Sequence, residues 1–247
     1  FTVTVLTTTQ QYEKTLELLN EVLNNATFSE YELDKVKNDK LNAIKKSRDI
    51  PLNVALEGYK HLIFSGTPYS NSTIDLEKNI PNITRDEIVS YYRNIFNPKN
   101  IIISINGNVD TDKTAEAFSN MFKDNQSDKT FDYLSHKTEI KPIETSKTLI
   151  KKVDTNTDWI FLAWQTAGLE NKKDYATLQV IDSLLGTGMS SRLFKNLRDQ
   201  EGLAYQLGSG YSANILRVAF VVYIGTNPET LNYSRKKILA EIERFKM

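Results

Sequence analysis

The stretch Leu184-Leu-Gly186-Thr-Gly188-Met-Ser-Ser-Arg192-Leu-Phe194-Lys-Asn-Leu-Arg198-Asp-Gln-Glu-Gly202-Leu-Ala-Tyr205 organises the reading of the whole chain. A glycine turn leads into a helix expected over Ser190–Asp199, and Gly202 stands where that helix wants a left-handed cap. Tyr205 then opens a strand expected over Ala204–Ser209, with Gly208 and Gly210 close behind. Arg198 in the last helical turn and Tyr205 just past the cap can point to one side of the corner. A guanidinium and a phenol held there can bind peptide carbonyls or carboxylates. The competing assignment is local: Arg198 caps helical carbonyls and Tyr205 packs at the strand start. The Gly186–Gly188 turn can cradle an anion at the helix start, but it lacks the Gly-Lys-Ser/Thr ending of a phosphate-binding loop.

Outward from this corner, periodicity lays out the remaining elements. Downstream lie a strand at Val218–Ile224 and a helix at Thr230–Phe245. Upstream are strands at Thr148–Val153 and Trp159–Trp164 and a helix at Lys173–Leu185. Residues 124–147, rich in Asp, Ser, Lys and Thr, read as a linker. Before it, Phe1–Leu6 alternates as a half-buried strand does, and Ile101–Ile105 reads as a short buried one. Helices follow from Leu16, Leu19, Val22 and Leu23, from Leu33, Val36, Leu41 and Ile44, and from Leu52–Phe64 after Pro51. Two capping boxes, Ser29 with Glu32 and Thr84 with Glu87, mark helix starts. Gly66–Asn71 reads as a surface loop. Asp110-x-Asp112 invites a divalent-metal loop, though helix capping explains it better. Interleaved helices and strands in both halves give the class α/β or α+β, of which α+β is the expectation carried forward.

Composition removes several functions. The chain has 247 residues, 31 Lys+Arg against 31 Asp+Glu, two histidines and no cysteine. A balanced charge does not supply the basic excess that nucleic acid or an anionic membrane surface demands. Without cysteine there is no disulfide framework, thiolate nucleophile or cysteine-held metal. His61 and His136 are too far apart for a local zinc site, and too isolated to serve a serine nucleophile. The longest apolar run, Val218–Ile224, falls far short of the roughly 18 residues of a membrane helix. The compartment stays open between cytoplasm and periplasm or organelle.

The sequence also hints at a repeat. A shift of 219 positions pairs Phe1 with Phe220, Val3 with Val222, Val5 with Ile224, Leu19 with Ile238 and Leu23 with Ile242. With a start at Phe1 inside a strand-like alternation, this reads as an internal segment of a longer two-repeat protein. The division expected is residues 1–140 for the later part of a first domain with its linker, and 141–247 for the first part of a second.

Gly186-Thr-Gly-Met189-Ser-Ser-Arg192-Leu-Phe194, Arg198 and Gly202-Leu-Ala-Tyr205 together resemble the second-domain hallmark of the insulinase (pitrilysin) family of zinc metallopeptidases, which includes mitochondrial processing peptidase. Glu32-Leu33, Asp49-x-Pro51, Pro68-Tyr69, Ile88 with Tyr91-Tyr92, Phe96-x-Pro98-x-Asn100 and Gly107-Asn-Val-Asp110 are similar to the later part of the family's first domain. The resemblance implies two tandem domains of one α/β sandwich fold, both incomplete in this segment. It implies that Arg198 and Tyr205 face a zinc site across a closed chamber, contacting substrate carbonyls and helping to stabilise the tetrahedral intermediate, as donors aimed at a developing oxyanion would.

The departures are informative. The family's His-x-x-Glu-His, whose Glu activates the metal-bound water, is absent from the chain. Alignment on Pro51 puts Ala43, or at the loosest Asn42, where the family's third metal ligand stands. The resemblance therefore implies a non-catalytic partner type, inactive alone, that binds extended peptides through Arg198 and Tyr205 and dimerises with a homologous zinc-bearing subunit. Two alternatives stand beside it: an active homomeric zinc endopeptidase whose metal helix lies upstream of Phe1, and a structural core protein with the same fold.

Overall fold

The computed structural model describes residues 2–123, 141–211 and 218–245. His136 and most of the expected linker lie outside them. The chain divides into two compact units, Phe1–Asp39 with Pro81–Lys137, and Lys40–Ile80 with Thr138–Met247. As expected, the class is α+β, helices with a small antiparallel sheet.

The first unit is helical among its described residues: α1 (Tyr12–Asn24), the start of α2 (Glu30–Arg48), α5 (Arg85–Ile95) and α6 (Thr111–Met121). Local capping chemistry sets the starts. Thr84 and Glu87 exchange both bonds of a capping box, at 2.7 and 3.2 Å. The Ser29 hydroxyl accepts from the Glu32 N–H. Asp110 accepts from the Asp112 and Lys113 N–H groups at 3.0 and 3.1 Å, so its carboxylate caps α6. The Tyr92 hydroxyl donates to the Leu23 carbonyl at 2.7 Å, and its ring lies between Phe28 and Phe96.

Three expected strands are corrected. Residues 2–6 and 101–105 of this unit, and 148–153 of the other, pair with no strand among the described residues. A strand is defined by its ladder partner, and alternation alone does not supply one. Val3, Val5, Ile103 and Ile105 remain roughly half exposed, and the two segments of the first unit line an apolar cavity of about 670 Å³ with Leu16, Leu19 and Phe118.

The second unit is built on a three-stranded antiparallel sheet in the order β1-β3-β2, with β1 Asp158–Thr166, β2 Ala204–Tyr211 and β3 Val218–Thr226. Facing pairs such as Phe161↔Tyr223, Leu162↔Val222 and Leu207↔Ile224 assign the faces, because opposed residues point the same way and neighbours alternate. One face carries Val218, Phe220, Val222, Ile224, Ile160, Leu162 and Leu207. It packs with Leu185, Leu193, Leu197 and Ile238 from the helical side, where α7 (Lys172–Leu185) and α8 (Leu231–Phe245) lie. The other face meets α3 (Pro51–Ile63), with Ile63, Phe64 and Tyr59 against Ala163 and Ala219. The stretch after Gly66–Asn71 holds a short helix that sequence reading leaves unassigned, α4 (Thr73–Asn79), opened by a Ser72–Asp75 capping box. Arg48 at the end of α2 pairs with Glu77 of α4.

Candidate functional site

The corner between α7 and β2 departs from regular geometry at two places, one on each side of Gly202. On the helical side, Phe194–Gln200 is π-helical rather than α-helical. Its cap is correspondingly one residue wide: the Gly202 N–H donates to the Arg198 carbonyl at 3.0 Å and the Leu203 N–H to the Leu197 carbonyl at 2.9 Å. A Schellman cap would reach one residue less far back in each case. Gly202 takes the left-handed conformation, φ 64°, which a glycine adopts without the strain of a Cβ. On the strand side, Ala204 pairs with Thr226 but Gln206 pairs with Gly225, so Tyr205 is the extra residue of a β-bulge.

Both irregularities re-aim a side chain. A wide turn brings residues four apart nearly into line, and the Arg198 guanidinium lies 4.3 Å from the centroid of the Phe194 ring, within cation–π range. The bulge turns Tyr205 outward, where it is 92% exposed. π-turns and β-bulges both recur beside functional sites. Tyr205 is therefore not packed at the strand start, the local alternative for it. The Arg198 side chain stacks on a ring; only its backbone carbonyl joins the cap.

Tyr205 lines a cavity of about 430 Å³ with Gln206, Leu207, Tyr223, Phe161 and the α3 residues Leu52, Asn53 and Leu56. No charged side chain is among these residues. Beyond Gln206 the same face of β2 continues as Gly208 and Gly210. A Cβ on Gly208 would stand 2.9 Å from the Tyr223 hydroxyl, so glycine leaves room for that ring to lie over β2. Sequence reading overlooks the cavity because four elements contribute to it, α3 and all three strands. The one local sign is Gly208 and Gly210 at the two-residue period, a strand face without side chains.

The remaining motif residues hold the corner. Arg192 reaches the buried Glu241 of α8 at 3.2 Å, Arg244 reaches the same carboxylate at 2.6 Å, and Arg192 also lies over the Phe245 ring. Lys237 of α8 pairs with Glu201 at 2.6 Å. The hydrogen bond to Lys237 lowers the Glu201 pKa, and the same bond raises that of Lys237. Gly186 packs so closely on β2 that a Cβ there would stand 2.2 Å from the Ser209 nitrogen. The Ser209 hydroxyl in turn donates to the Asp182 carboxylate.

Asn42 and Ala43 are exposed on α2 and His61 is exposed at the end of α3. Among the described residues no three His, Asp or Glu side chains converge.

Residues 82–247 match the family model described as the peptidase M16 inactive domain. That is two thirds of the chain, and the chain belongs to this family. It is 25% identical over 233 residues to an uncharacterised zinc protease of Rickettsia felis, covering 94% of this chain and 55% of that protein. It is 27% identical over 200 residues to the non-peptidase homolog YmxG of Helicobacter pylori, covering 80% and 45%. The crystal structure of a protease from Helicobacter pylori superposes with a TM-score of 0.86 at 23% identity, covering 97% of this chain and 58% of that one. The peptidase M16 inactive domain from Pseudomonas fluorescens gives 0.81 at 21%, covering 97% and 57%. The chain thus spans about half the length of the curated relatives it matches. Among its described residues, no helix is long and apolar enough to cross a membrane.

Proposed function

We propose that this chain is a substrate-binding, zinc-less part of an insulinase-family peptidase, working with a homologous zinc-bearing subunit. An extended peptide lies along the outer edge of β2, as strands commonly add to a sheet edge. Arg198 and Tyr205 donate to its carbonyls, and an uncharged side chain enters the cavity under Tyr205. The observation that carries the reading is the bulge, which exposes a phenol at the mouth of an uncharged pocket on an edge strand. The arrangement as two family domains related by a repeat and divided at residue 140, both incomplete here, belongs to the same proposal. The pairs Val3 with Val222 and Leu19 with Ile238 support it.

The test is binding of a fluorescein-labelled apolar decapeptide to the chain, and its hydrolysis once the zinc-bearing partner is added. Arg198→Ala and Tyr205→Phe should each weaken binding and slow hydrolysis. Unchanged binding and hydrolysis in both variants sink the reading. The words zinc protease in the names of relatives favour a second reading, a longer protein that binds zinc itself. Stoichiometric zinc in that longer protein, without a partner, would establish it.

A further inference from the structure

Leu203 is fixed at both of its backbone polar groups, and to opposite arms of the corner. Its N–H donates to the Leu197 carbonyl on the Arg198 arm. Its carbonyl accepts from the Thr226 hydroxyl of β3 at 2.8 Å. Thr226 is also the residue that pairs with Ala204, immediately before the bulge.

The hydroxyl directions follow from counting. A carbonyl only accepts, so the single Thr226 proton goes to Leu203. The Thr230 and Ser234 hydroxyls lie 2.8 and 3.0 Å from the Thr226 oxygen. With the Thr226 proton committed, Ser234 must donate to Thr226 through its own proton. Thr226 is 3% and Ser234 0% exposed, so water cannot take over either role. The Thr230 hydroxyl can donate to Thr226 or to the Asn227 carbonyl at 3.1 Å, and in either case the Thr226 proton stays on Leu203, a buried tie that resists distortion.

We infer that Thr226 is a positioning residue for the peptide site proposed above: its hydroxyl, oriented by Ser234, fixes the Leu203 carbonyl and so the bulge that aims Tyr205. Thr226→Val keeps the side-chain shape and removes the hydroxyl. The Leu203 carbonyl loses its tie to β3, the bulge relaxes, and the phenol samples several directions. Thr226→Ser keeps the hydroxyl and should restore the wild-type state.

The experiment places a fluorotyrosine at position 205 of the full chain and records its fluorine NMR signal beside binding of the labelled decapeptide. Thr226→Val should shift and broaden the signal and weaken binding roughly tenfold, as loss of a supporting hydrogen bond does. Thr226→Ser should restore both. A Thr226→Val signal that superposes on wild type in position and width overturns the inference. If Thr226→Val does not fold by circular dichroism, Ser234→Ala tests the same tie. It should displace the signal in a folded protein, and an unmoved signal overturns the inference. The inference rests on the peptide-binding reading only in its binding arm. A wild-type chain that fails to bind the peptide overturns that reading, while the fluorine signal still decides the role of Thr226.

Discussion

The Arg198 guanidinium lies over the Phe194 ring, 4.3 Å from its centroid, one wide turn back along the π-helical segment. The ring holds a cation that would otherwise swing freely. A double-mutant cycle with Phe194→Leu and Arg198→Ala, read by urea unfolding, should give a coupling of about 0.5–1 kcal/mol. Additive losses would show that the stacking does not hold the guanidinium.

Glu241 is 4% exposed and pairs with both Arg192 and Arg244, but the two arginines are not equivalent. The Arg192 side chain is 35% exposed and that of Arg244 64%. Glu241→Ala leaves Arg192 part-buried without its carboxylate and should cost about 2–3 kcal/mol in urea unfolding. Arg244→Ala removes a largely exposed partner and should cost less than about 1 kcal/mol. The reverse order would contradict the assignment of Arg192 as the structural link to α8.

Tyr59 packs between Phe64 and Phe161, and burial pushes its phenol from the ordinary 10.0 up to about 12. The folded chain then keeps the proton over a range where the unfolded chain releases it. Stability from this group is fully present below pH 10 and falls as pH rises towards 12, by about 3 kcal/mol in all. Tyr59→Phe should flatten the difference in urea midpoint between pH 9.5 and 11.5 relative to wild type. Parallel losses in the two proteins would place the alkaline sensitivity elsewhere, for instance at Tyr92 or Tyr211, which burial also shifts upward.

Gly186 and Gly188 stand two residues apart in one turn but are glycine for different reasons. A Cβ at Gly186 would collide with the Ser209 backbone at 2.2 Å, whereas Gly188 has open space and φ 81°. Gly186→Ala must move β2 and should cost about 3 kcal/mol. Gly188→Ala meets only left-handed backbone strain and should cost about 1 kcal/mol. Thermal unfolding distinguishes them, and equal losses would mean that the turn yields to both alike.

What the sequence shows plainly is local. The Thr84–Glu87 box, the Pro51 helix start and the Gly202 cap each need only a few neighbouring residues, and each stands where the pattern puts it. β1 and β3 are legible as short apolar runs, Trp159–Trp164 and Val218–Ile224, and β2 through the glycine cap before it. Residues 2–6, 101–105 and 148–153 carry strand-like apolar patterns without a partner strand among the described residues, since pairing is set by distant segments. α4 is missed because its cap uses Asp75 where the familiar box has Glu or Gln. Arg198 and Tyr205 stand out through the motif around them. Leu52, Asn53, Leu56, Phe161 and Tyr223 meet only in space, and no spacing along the chain announces them. The wide turn and the bulge are single-residue insertions at the end of one element and the start of the next, where too few residues lie on the short side for a shift in period to show.

Those two insertions bear on any effort to make this domain sturdier. Removing one residue from Phe194–Gln200 would return the turn to ordinary α-helical bonding, and removing Tyr205 would let β2 run in register with β3. Each deletion repairs the backbone and erases the orientation of one of the two side chains. A screen that rewards thermal resistance alone would drift towards such repairs. Engineering here has to treat the irregular backbone as the trait to be kept.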